Sequence, residues 1–384
     1  MIDREISKKA IELFQLYPIL AITGPRQSGK TTLVKELFKD IDYVSLEDLD
    51  QREIANYDPR GFLMNYPNGA IIDEIQRVPS LFNYLQTRVD EINKVGQFII
   101  LGSQNFLLME SISQSLAGRV ALIKLLPLSQ KELKKANLLP EESNDIMFNG
   151  NYPAIYSRNI PANIFYPNYL STYIERDVRT LKNIGNLNIF TLFVQLCAGR
   201  IGQPLNYSSL ASDTGIAVNT AKEWISILES SYIIFLIKPH HKNFNKRLVK
   251  MPKLYFYDTG LITYLLNIEH AAQIQNHYLL GNIFENYAVS ELIKNRYNKG
   301  LKSNLYYWKD NKGKEVDIII DNIDQTIAIE IKASQTYNLN AFDNINYYRK
   351  ISSSSVDSYV ISRVNKNKEL SNESFISWNN ISFE

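Results

Sequence analysis

The residues best suited to chemistry lie near the start of the chain, where positions 24–31 fill the motif G-x-x-x-x-G-K-[ST]. The apolar run 19–22 precedes the motif and the helix-like stretch 32–38 follows it, which is the context that a phosphate-binding loop requires. Its glycines let backbone N–H groups turn toward phosphate oxygens, Lys30 supplies positive charge, and the Thr31 hydroxyl can ligate magnesium. The motif therefore predicts that the chain binds ATP with Mg²⁺. The predicted nucleotide-binding residues of this segment are Gly24, Pro25, Arg26, Gln27, Ser28, Gly29, Lys30, Thr31 and Thr32.

Two acidic residues, Asp73 and Glu74, follow the apolar triplet 70–72. Such a triplet is typical of a strand covered on both faces, and parallel sheets bind ligands at the carboxyl ends of their strands. We expect Asp73 to hold magnesium, directly or through water, and Glu74 to polarise an attacking water, which indicates hydrolysis rather than nucleotide storage. The alternative is a strand end that carries two solvated acids.

Another buried run, 98–101, ends at Gly102, Ser103 and Gln104. A polar side chain at this point could reach the γ-phosphate or the attacking water, so we assign Ser103 a sensor-like catalytic role. Turn chemistry alone would also place glycine and serine after a strand.

Arg119 precedes a further apolar run, 120–123. An arginine that enters a neighbouring subunit's site stabilises charge on the transferring phosphoryl group and can be worth about 10³-fold or more in rate. This interpretation predicts a homo-oligomeric ring in which Arg119 is catalytic. The alternative is an exposed arginine that contributes only to solubility.

The motifs together resemble those of the prokaryotic AAA-like P-loop ATPases that carry a C-terminal domain of unknown function. The resemblance covers nearly the whole chain, and it implies an ATPase core fused to a winged helix and a PD-(D/E)xK nuclease-like module. The segments that carry it are 23–32, 72–76, 101–104, 116–120, 127–129, 253–261 and 329–332.

Composition limits the class of protein. The 384 residues are 45% hydrophobic, enough for two or three domains, and the net charge of +2 gives no global nucleic-acid signature. Cys197 is the one cysteine, which excludes an intramolecular disulfide and fits a reducing compartment. No apolar run approaches the roughly 18–20 residues that span a bilayer. We expect a cytoplasmic protein without membrane contact.

The order of strand-like and helix-like segments predicts an α/β fold in which residues 1–129 form a P-loop, AAA-like parallel-sheet core. Residues 130–200 become helical and resemble the lid that covers nucleotide in AAA-like proteins. Arg176 or Arg179 could touch nucleotide there, although charged pairs on a helix usually form a solvated face.

Residues 201–265 are predicted to form a winged helix, with a sharp turn at Gly215 between two helices and two β-rich runs after them. Bases and aromatic residues alternate between those runs, at 238–247, and could contact DNA phosphates and bases. A protein-interaction module is the alternative. His240 and His241 lack further ligands at metal-binding spacing and are interpreted as loop residues.

Residues 270–384 are predicted to form an α/β, restriction-endonuclease-like module. Glu330 and Lys332 share one face of a strand because side chains alternate with period two. With Asp317 on a paired strand and Glu285 on a helix, they resemble the PD-(D/E)xK core, in which two carboxylates hold magnesium and the lysine activates water. A charged pair on an edge strand is the alternative.

Two functions remain open at this stage. The first is an oligomeric, ATP-hydrolysing motor or switch that engages DNA through its C-terminal half. The second is an ATP-controlled scaffold whose winged helix and inactive nuclease-like fold bind protein.

Overall fold

The computed structural model describes residues 2–103, 112, 114–174, 186–240, 251–322, 325–352 and 355–383. The chain divides into two compact units. The first unit comprises Met1–Leu128, Ser230–Tyr232 and Arg296–Leu301, and the second comprises Ser129–Glu229, Ile233–Asn295 and Lys302–Glu384. Gln104, Arg176, Arg179, His241 and most of the 238–247 run lie outside the described residues.

The first unit is a mixed α/β fold built on one sheet. Its strands are β1 (Ile19–Thr23), β2 (Asp42–Ser45), β3 (Ala70–Asp73), β4 (Phe98–Gly102) and β5 (Val120–Lys124), and its helices are α1 (Ser7–Leu16), α2 (Lys30–Leu37), α3 (Leu49–Tyr57), α4 (Pro59–Met64) and α5 (Leu81–Ile92). The strand order is β2-β3-β4-β1-β5, and every described pair is parallel. The carboxyl ends of β1, β3 and β4 therefore lie side by side at one edge of the sheet.

The apolar strand runs are explained by two core clusters, one on each face of this sheet. Ile19 and Ala21 of β1 belong to one cluster, whereas Leu20 and Ile22 belong to the other. Because successive side chains of a strand point to opposite faces, a strand covered on both sides must be apolar at every position. The polar residues are thereby confined to the strand ends.

The second unit combines helices with a larger sheet. Its helices are α6 (Gln130–Lys135), α7 (Ser143–Asn149), α8 (Pro153–Ser157), α9 (Ala162–Tyr169), α10 (Leu187–Ala198), α11 (Tyr207–Thr214), α12 (Val218–Ser230), α13 (Thr259–Leu265), α14 (Ala271–Ile274), α15 (Leu280–Asn298) and α16 (Asp343–Ile351). Its strands are β6 (Ile234–Pro239), β7 (Lys253–Phe256), β8 (Leu305–Lys309), β9 (Glu315–Asp321), β10 (Thr326–Lys332), β11 (Val356–Ser362), β12 (Lys368–Glu369) and β13 (Glu373–Ser377). Helix α15 and helix α12 end within segments assigned to the first unit.

The eight strands of the second unit form one sheet in the order β12-β13-β11-β10-β9-β8-β6-β7. Strand β6 pairs in parallel with β8, with Lys238 opposite Tyr306 and Pro239 opposite Tyr307. The two strands interpreted from sequence as a wing are therefore continuous with the C-terminal sheet. The pairing of β6 with β8 joins segments on either side of the boundary predicted near residues 265–270. It is possible because β8 pairs with β9 along one edge and leaves its other edge for β6.

Helix α15, which carries Glu285, buries several polar residues. Its polar residues Asn286, Ser290, Glu291 and Lys294 are buried along with its apolar ones. They have internal partners: Lys294 Nζ lies 2.7 Å from Glu291 Oε1, and the Asn286 side chain bonds both backbone groups of Phe256. Polar groups that have hydrogen-bonding partners tolerate burial, so this helix is buried at polar as well as apolar positions.

None of the described helices combines the length and apolar composition that a membrane crossing requires.

Candidate functional site

The phosphate-binding loop lies between the end of β1 and the start of α2. Gly29 caps α2 with φ +92°, a left-handed conformation that favours glycine. Gly24 has φ +151°, and a Cβ there would lie 2.1 Å from the Leu125 carbonyl oxygen. The glycines of the motif are thus required by backbone conformation at one end of the loop and by close contact at the other.

Lys30 is buried inside this loop. Its ammonium donates to the carbonyl oxygens of Gly24 at 2.9 Å and Pro25 at 2.8 Å. Burial lowers the pKa of Lys30 to about 8, partly opposed by the carboxylates of Glu74 and Asp73. The two backbone carbonyls compensate the desolvated charge of Lys30 only in part. A phosphate bound at the loop would give this ammonium an anionic partner.

Asp73 ends β3 beside the loop. Its Oδ2 accepts hydrogen bonds from Thr31 Oγ1 at 2.7 Å and from the Tyr43 hydroxyl at 2.9 Å, and its Oδ1 accepts from the Glu74 N–H at 2.9 Å. The structure therefore brings together the two residues predicted to hold magnesium. Tyr43 was not predicted, because a tyrosine within a β-rich run carries no sign of its partner.

Glu74 occupies a left-handed backbone conformation with φ +53°, which is uncommon for a residue other than glycine and recurs at functional sites. Its Oε2 accepts from Ser103 Oγ at 3.1 Å and from Gln76 Nε2. Burial, with a smaller contribution from Asp73, raises the pKa of Glu74. The predicted sensor Ser103 thus contacts the predicted catalytic acid directly, and Gln76 joins them from within the 72–76 segment.

The other predicted loop residues occupy different environments. Pro25 and Ser28 are buried, whereas Gln27 and Thr32 are exposed. Arg26 Nη1 lies 3.8 Å from Glu47 Oε1. Their roles toward nucleotide remain predictions.

Arg119 lies apart from these carboxylates. Its Nε and Nη2 donate to the two carboxylate oxygens of Asp90 on α5, at 2.6 and 2.8 Å. A role in a neighbouring subunit would require this bidentate pair to open. The prediction of a catalytic Arg119 is neither supported nor contradicted by a single chain.

A second cluster of charged residues lies at one end of the sheet in the second unit. Ile318 of β9 lies opposite Ile329 of β10 in this antiparallel pair, and Asp317 precedes Ile318 while Glu330 follows Ile329. Lys332 Nζ lies 2.5 Å from Glu330 Oε2 and 3.6 Å from Asp317 Oδ2. The structure thus brings together three of the four residues predicted from the nuclease-like pattern.

The fourth, Glu285 on α15, is held by two residues of the 253–261 segment to which the sequence analysis gave no role at this site. Its Oε1 accepts from the Tyr255 hydroxyl at 2.6 Å and from Lys253 Nζ at 3.3 Å. Lys253 also lies 2.5 Å from Glu315 Oε1. Lysine and tyrosine on β7 gave no spacing signal toward a helix about 30 residues away.

The carboxylates of this second cluster influence one another. Burial raises the pKa of both Glu285 and Glu330, and the nearby charge of Asp317 raises each further. Burial disfavours charge on Lys253 as well, but Glu285, Asp317 and Glu315 outweigh it and raise the pKa of that lysine. Across the described part of the chain, no three or more His, Cys, Asp or Glu side chains converge as a metal-binding group.

His240 lies at the end of β6, with Nε2 3.3 Å from Asp321 Oδ2 and Nδ1 3.3 Å from the Tyr348 hydroxyl.

Three family models match successive parts of the chain. Residues 16–134 match the AAA domain, residues 140–272 match a domain of unknown function (DUF8612), and residues 280–381 match another domain of unknown function (DUF4143). The first unit is therefore similar to AAA-type P-loop ATPases, which confirms that part of the predicted resemblance. The winged-helix and nuclease-like predictions are not tested by the other two matches.

Relatives cover most of the chain. An uncharacterized protein of Mycobacterium tuberculosis is 29% identical over 326 residues, covering 83% of this chain and 71% of its own. An uncharacterized protein of Haemophilus influenzae is 21% identical over 370 residues, covering 87% and 88%. Among solved structures, a Walker-type ATPase of Pyrococcus abyssi superposes with a TM-score of 0.46 at 14% identity, covering 69% of this chain and 96% of that one.

Proposed function

We propose that the chain is an ATP hydrolase of the AAA-like type that works as an oligomeric, DNA-associated motor or switch with a nuclease-like C-terminal domain. The observation that carries the hydrolase is the convergence of Thr31, Asp73, Glu74 and Ser103 beside the buried Lys30. Charge compensation, metal ligation and water activation are thereby available at one edge of the sheet.

The roles follow from the chemistry of the side chains. Lys30 neutralises phosphate charge and, on binding, exchanges the carbonyls of Gly24 and Pro25 for phosphate oxygens. Glu74 is the residue that polarises the attacking water, and Ser103 holds its carboxylate in place. Gln76 donates to the same Oε2 atom of this carboxylate and helps to orient it.

Magnesium fits the oxygen donors of this site. The Thr31 hydroxyl and the Asp73 carboxylate lie 2.7 Å apart, and both are the hard oxygen ligands that Mg²⁺ prefers. These two residues would hold the ion, directly or through water, and bound Mg²⁺ supplies positive charge against the phosphates. Tyr43 fixes the carboxylate for that purpose.

Association with DNA is supported by two features of the second unit. Helices α11 and α12 meet at a left-handed Gly215, as a helix-turn-helix requires, and the basic and aromatic run follows them. The cluster of Asp317, Glu330 and Lys332 has the residue types of a nuclease-like site.

A protein-binding scaffold is the second candidate, and one observation favours it. Lys253 and Lys332 lie directly against the carboxylates of the second cluster, so that its acids already have cationic partners without a metal ion. In that case the charged residues of the nuclease-like fold would serve internal pairing, and the domain would bind protein through its surface rather than cleave DNA.

ATPase turnover measured with and without single-stranded, duplex and branched DNA separates these functions. The motor or switch predicts stimulation by at least one DNA form, and Glu74→Gln should remove the stimulated and basal rates alike. Basal hydrolysis that no DNA form changes favours the scaffold. Absence of any hydrolysis that depends on Lys30 would refute the ATP hydrolase itself.

A further inference from the structure

Arg4, a residue that belongs to no motif, forms hydrogen bonds to the phosphate-binding loop and to the segment beside it. Its Nη1 donates to the Ser28 carbonyl oxygen at 2.7 Å, and its Nη2 donates to the Leu126 carbonyl oxygen at 2.6 Å. Arg4 is 9% exposed, although it is an arginine in the fourth position of the chain. A planar guanidinium is suited to such a bridge because its donors have a fixed fork geometry.

The segment around Arg4 is itself anchored. Ile6 is fully buried in one of the two core clusters of the first unit, and the Ser7 N–H donates to the Arg4 carbonyl at 3.2 Å. Glu5 Oε2 accepts from Asn298 Nδ2 at 3.1 Å within the same unit. Arg4 therefore reaches the loop from a fixed base rather than as a surface side chain.

The second end of the bridge is also fixed to the loop. Leu126 follows Leu125, whose N–H donates to the Thr23 carbonyl at 2.8 Å and whose own carbonyl lies against Gly24. Leu125 thus contacts the loop at Gly24. Arg4 connects the other end of the loop, at Ser28, to Leu126.

The geometry of the peptide bond links the hydrogen bond between Arg4 and Ser28 to phosphate binding. A trans peptide is planar, so the Ser28 carbonyl and the Gly29 N–H point in opposite directions. An arginine that holds the carbonyl outward therefore holds that N–H inward, on the side where phosphate oxygens bind in such loops. Gly29, which has a left-handed φ, restricts the orientation of this peptide less than a residue with a Cβ would.

We propose that Arg4 is a positioning residue for ATP binding, which orients the Ser28–Gly29 peptide without touching the nucleotide. The inference rests on the proposed ATP site. It adds a determinant from the N-terminal segment to a site otherwise defined by the loop and the strand ends.

Nucleotide affinity in the full-length chain tests this role. Binding of Mg²⁺-ATP is measured by calorimetry in a Glu74→Gln background, which prevents turnover, for Arg4→Ala, Arg4→Lys and Lys9→Ala. Arg4→Ala should weaken ATP binding about tenfold, the effect of losing one oriented hydrogen bond to phosphate. Arg4→Lys should lie between Arg4→Ala and the parent, because an ammonium cannot bridge both carbonyls with a fork. Lys9→Ala removes an exposed ion pair to Glu12 nearby and should change nothing.

Kinetics separate positioning from general damage to the fold. With Glu74 intact, Arg4→Lys should raise KM for ATP several-fold while kcat changes by less than about threefold, since the affected N–H binds phosphate before and during reaction. Parental affinity and KM in both Arg4 variants would overturn the inference and leave the ATP hydrolase standing. An equal loss in Lys9→Ala would also overturn it. If the parent itself does not bind ATP, the proposed function fails first.

Discussion

The two clusters of carboxylates contain similar residues but differ in what surrounds them. At the ATP site, Asp73 and Glu74 accept hydrogen bonds from neutral donors, namely Thr31, Tyr43 and Ser103. Lys30 lies nearby but donates to backbone carbonyls instead. The charge of these acids is therefore oriented without being cancelled.

At the C-terminal cluster the acids meet lysines directly. Lys332 contacts Glu330 and Asp317, and Lys253 contacts Glu285 and Glu315. These lysines oppose the effect of burial, which nevertheless leaves the pKa of Glu285 and Glu330 raised.

The difference between the two clusters indicates that residue type does not by itself define a metal site. Neutral donors leave a carboxylate without a bonded cation, whereas a bonded lysine must move or be outcompeted before a metal ion can bind. We therefore expect the first cluster to bind its ion with nucleotide readily and the second to bind a divalent ion more weakly. Three predictions test the two clusters, and a fourth concerns a buried acid outside both.

The largest effects should come from the ATP site. Lys30→Ala should abolish ATP binding because it removes the charge that compensates the phosphates, whereas Glu74→Gln should bind ATP but lower kcat by about 10³-fold. Calorimetry and a phosphate-release assay measure the two effects. Lys39→Ala, which removes an exposed lysine paired with Glu36, is the matched control and should behave as the parent. Parental turnover by Glu74→Gln would refute its assignment.

The next effect tests whether the ATP site is complete within one chain. If Arg119 acts in trans, Arg119→Ala should lower kcat by about 10³-fold. Asp90→Ala breaks the same ion pair but keeps the arginine, so it should retain turnover. Mixing Arg119→Ala with Glu74→Gln subunits should restore some activity where an intact arginine meets an intact acid. No restoration in verified mixed oligomers counts against a shared site.

A smaller effect is expected at the C-terminal cluster. Calorimetry of the nucleotide-free full-length chain should detect Mn²⁺ or Mg²⁺ binding that Asp317→Ala weakens by about 10–100-fold, while ATP hydrolysis persists. Metal-dependent nicking of some DNA form should disappear in Asp317→Ala and in Lys332→Ala. Glu369→Ala, on the exposed strand β12, is the control. Metal binding identical in Asp317→Ala and parent, with no DNA form cut, would support the scaffold.

The smallest effect concerns an acid that lies in neither cluster. Burial raises the pKa of Glu229 on α12 to about 7, with Lys238 opposing the shift only in part. Because the folded-state pKa exceeds the unfolded value, the favourable contribution is present at low pH and is lost as pH rises from about 4.5 to 7. Glu229→Gln should therefore raise the melting temperature at pH 8 by a few degrees, roughly, and leave it nearly unchanged at pH 5. Differential scanning calorimetry at both pH values measures this, and an equal shift at both would contradict the assignment.

Much of the geometry of the proposed ATP site was predictable because its signals are local. A loop between a strand and a helix brings Gly24, Gly29 and Lys30 together through chain connectivity alone. The meeting of Thr31 with Asp73 needed one further rule, that parallel strands present their carboxyl ends at the same edge. The winged-helix strands were identified as strands, but their union with the C-terminal sheet depends on a free strand edge that no local pattern reports.

The sequence by itself determined the phosphate loop, the apolar strands and the acids at their ends, because each depends on periodicity or on neighbours along the chain. Only the tertiary structure decided which donors those acids receive. Arg4 reaches Ser28 across 24 positions and Leu126 across 122, and Lys253 reaches Glu285 across 32. Packing in three dimensions selects such partners, because residues far apart along the chain can be in contact. Residue type alone does not predict which of them pair.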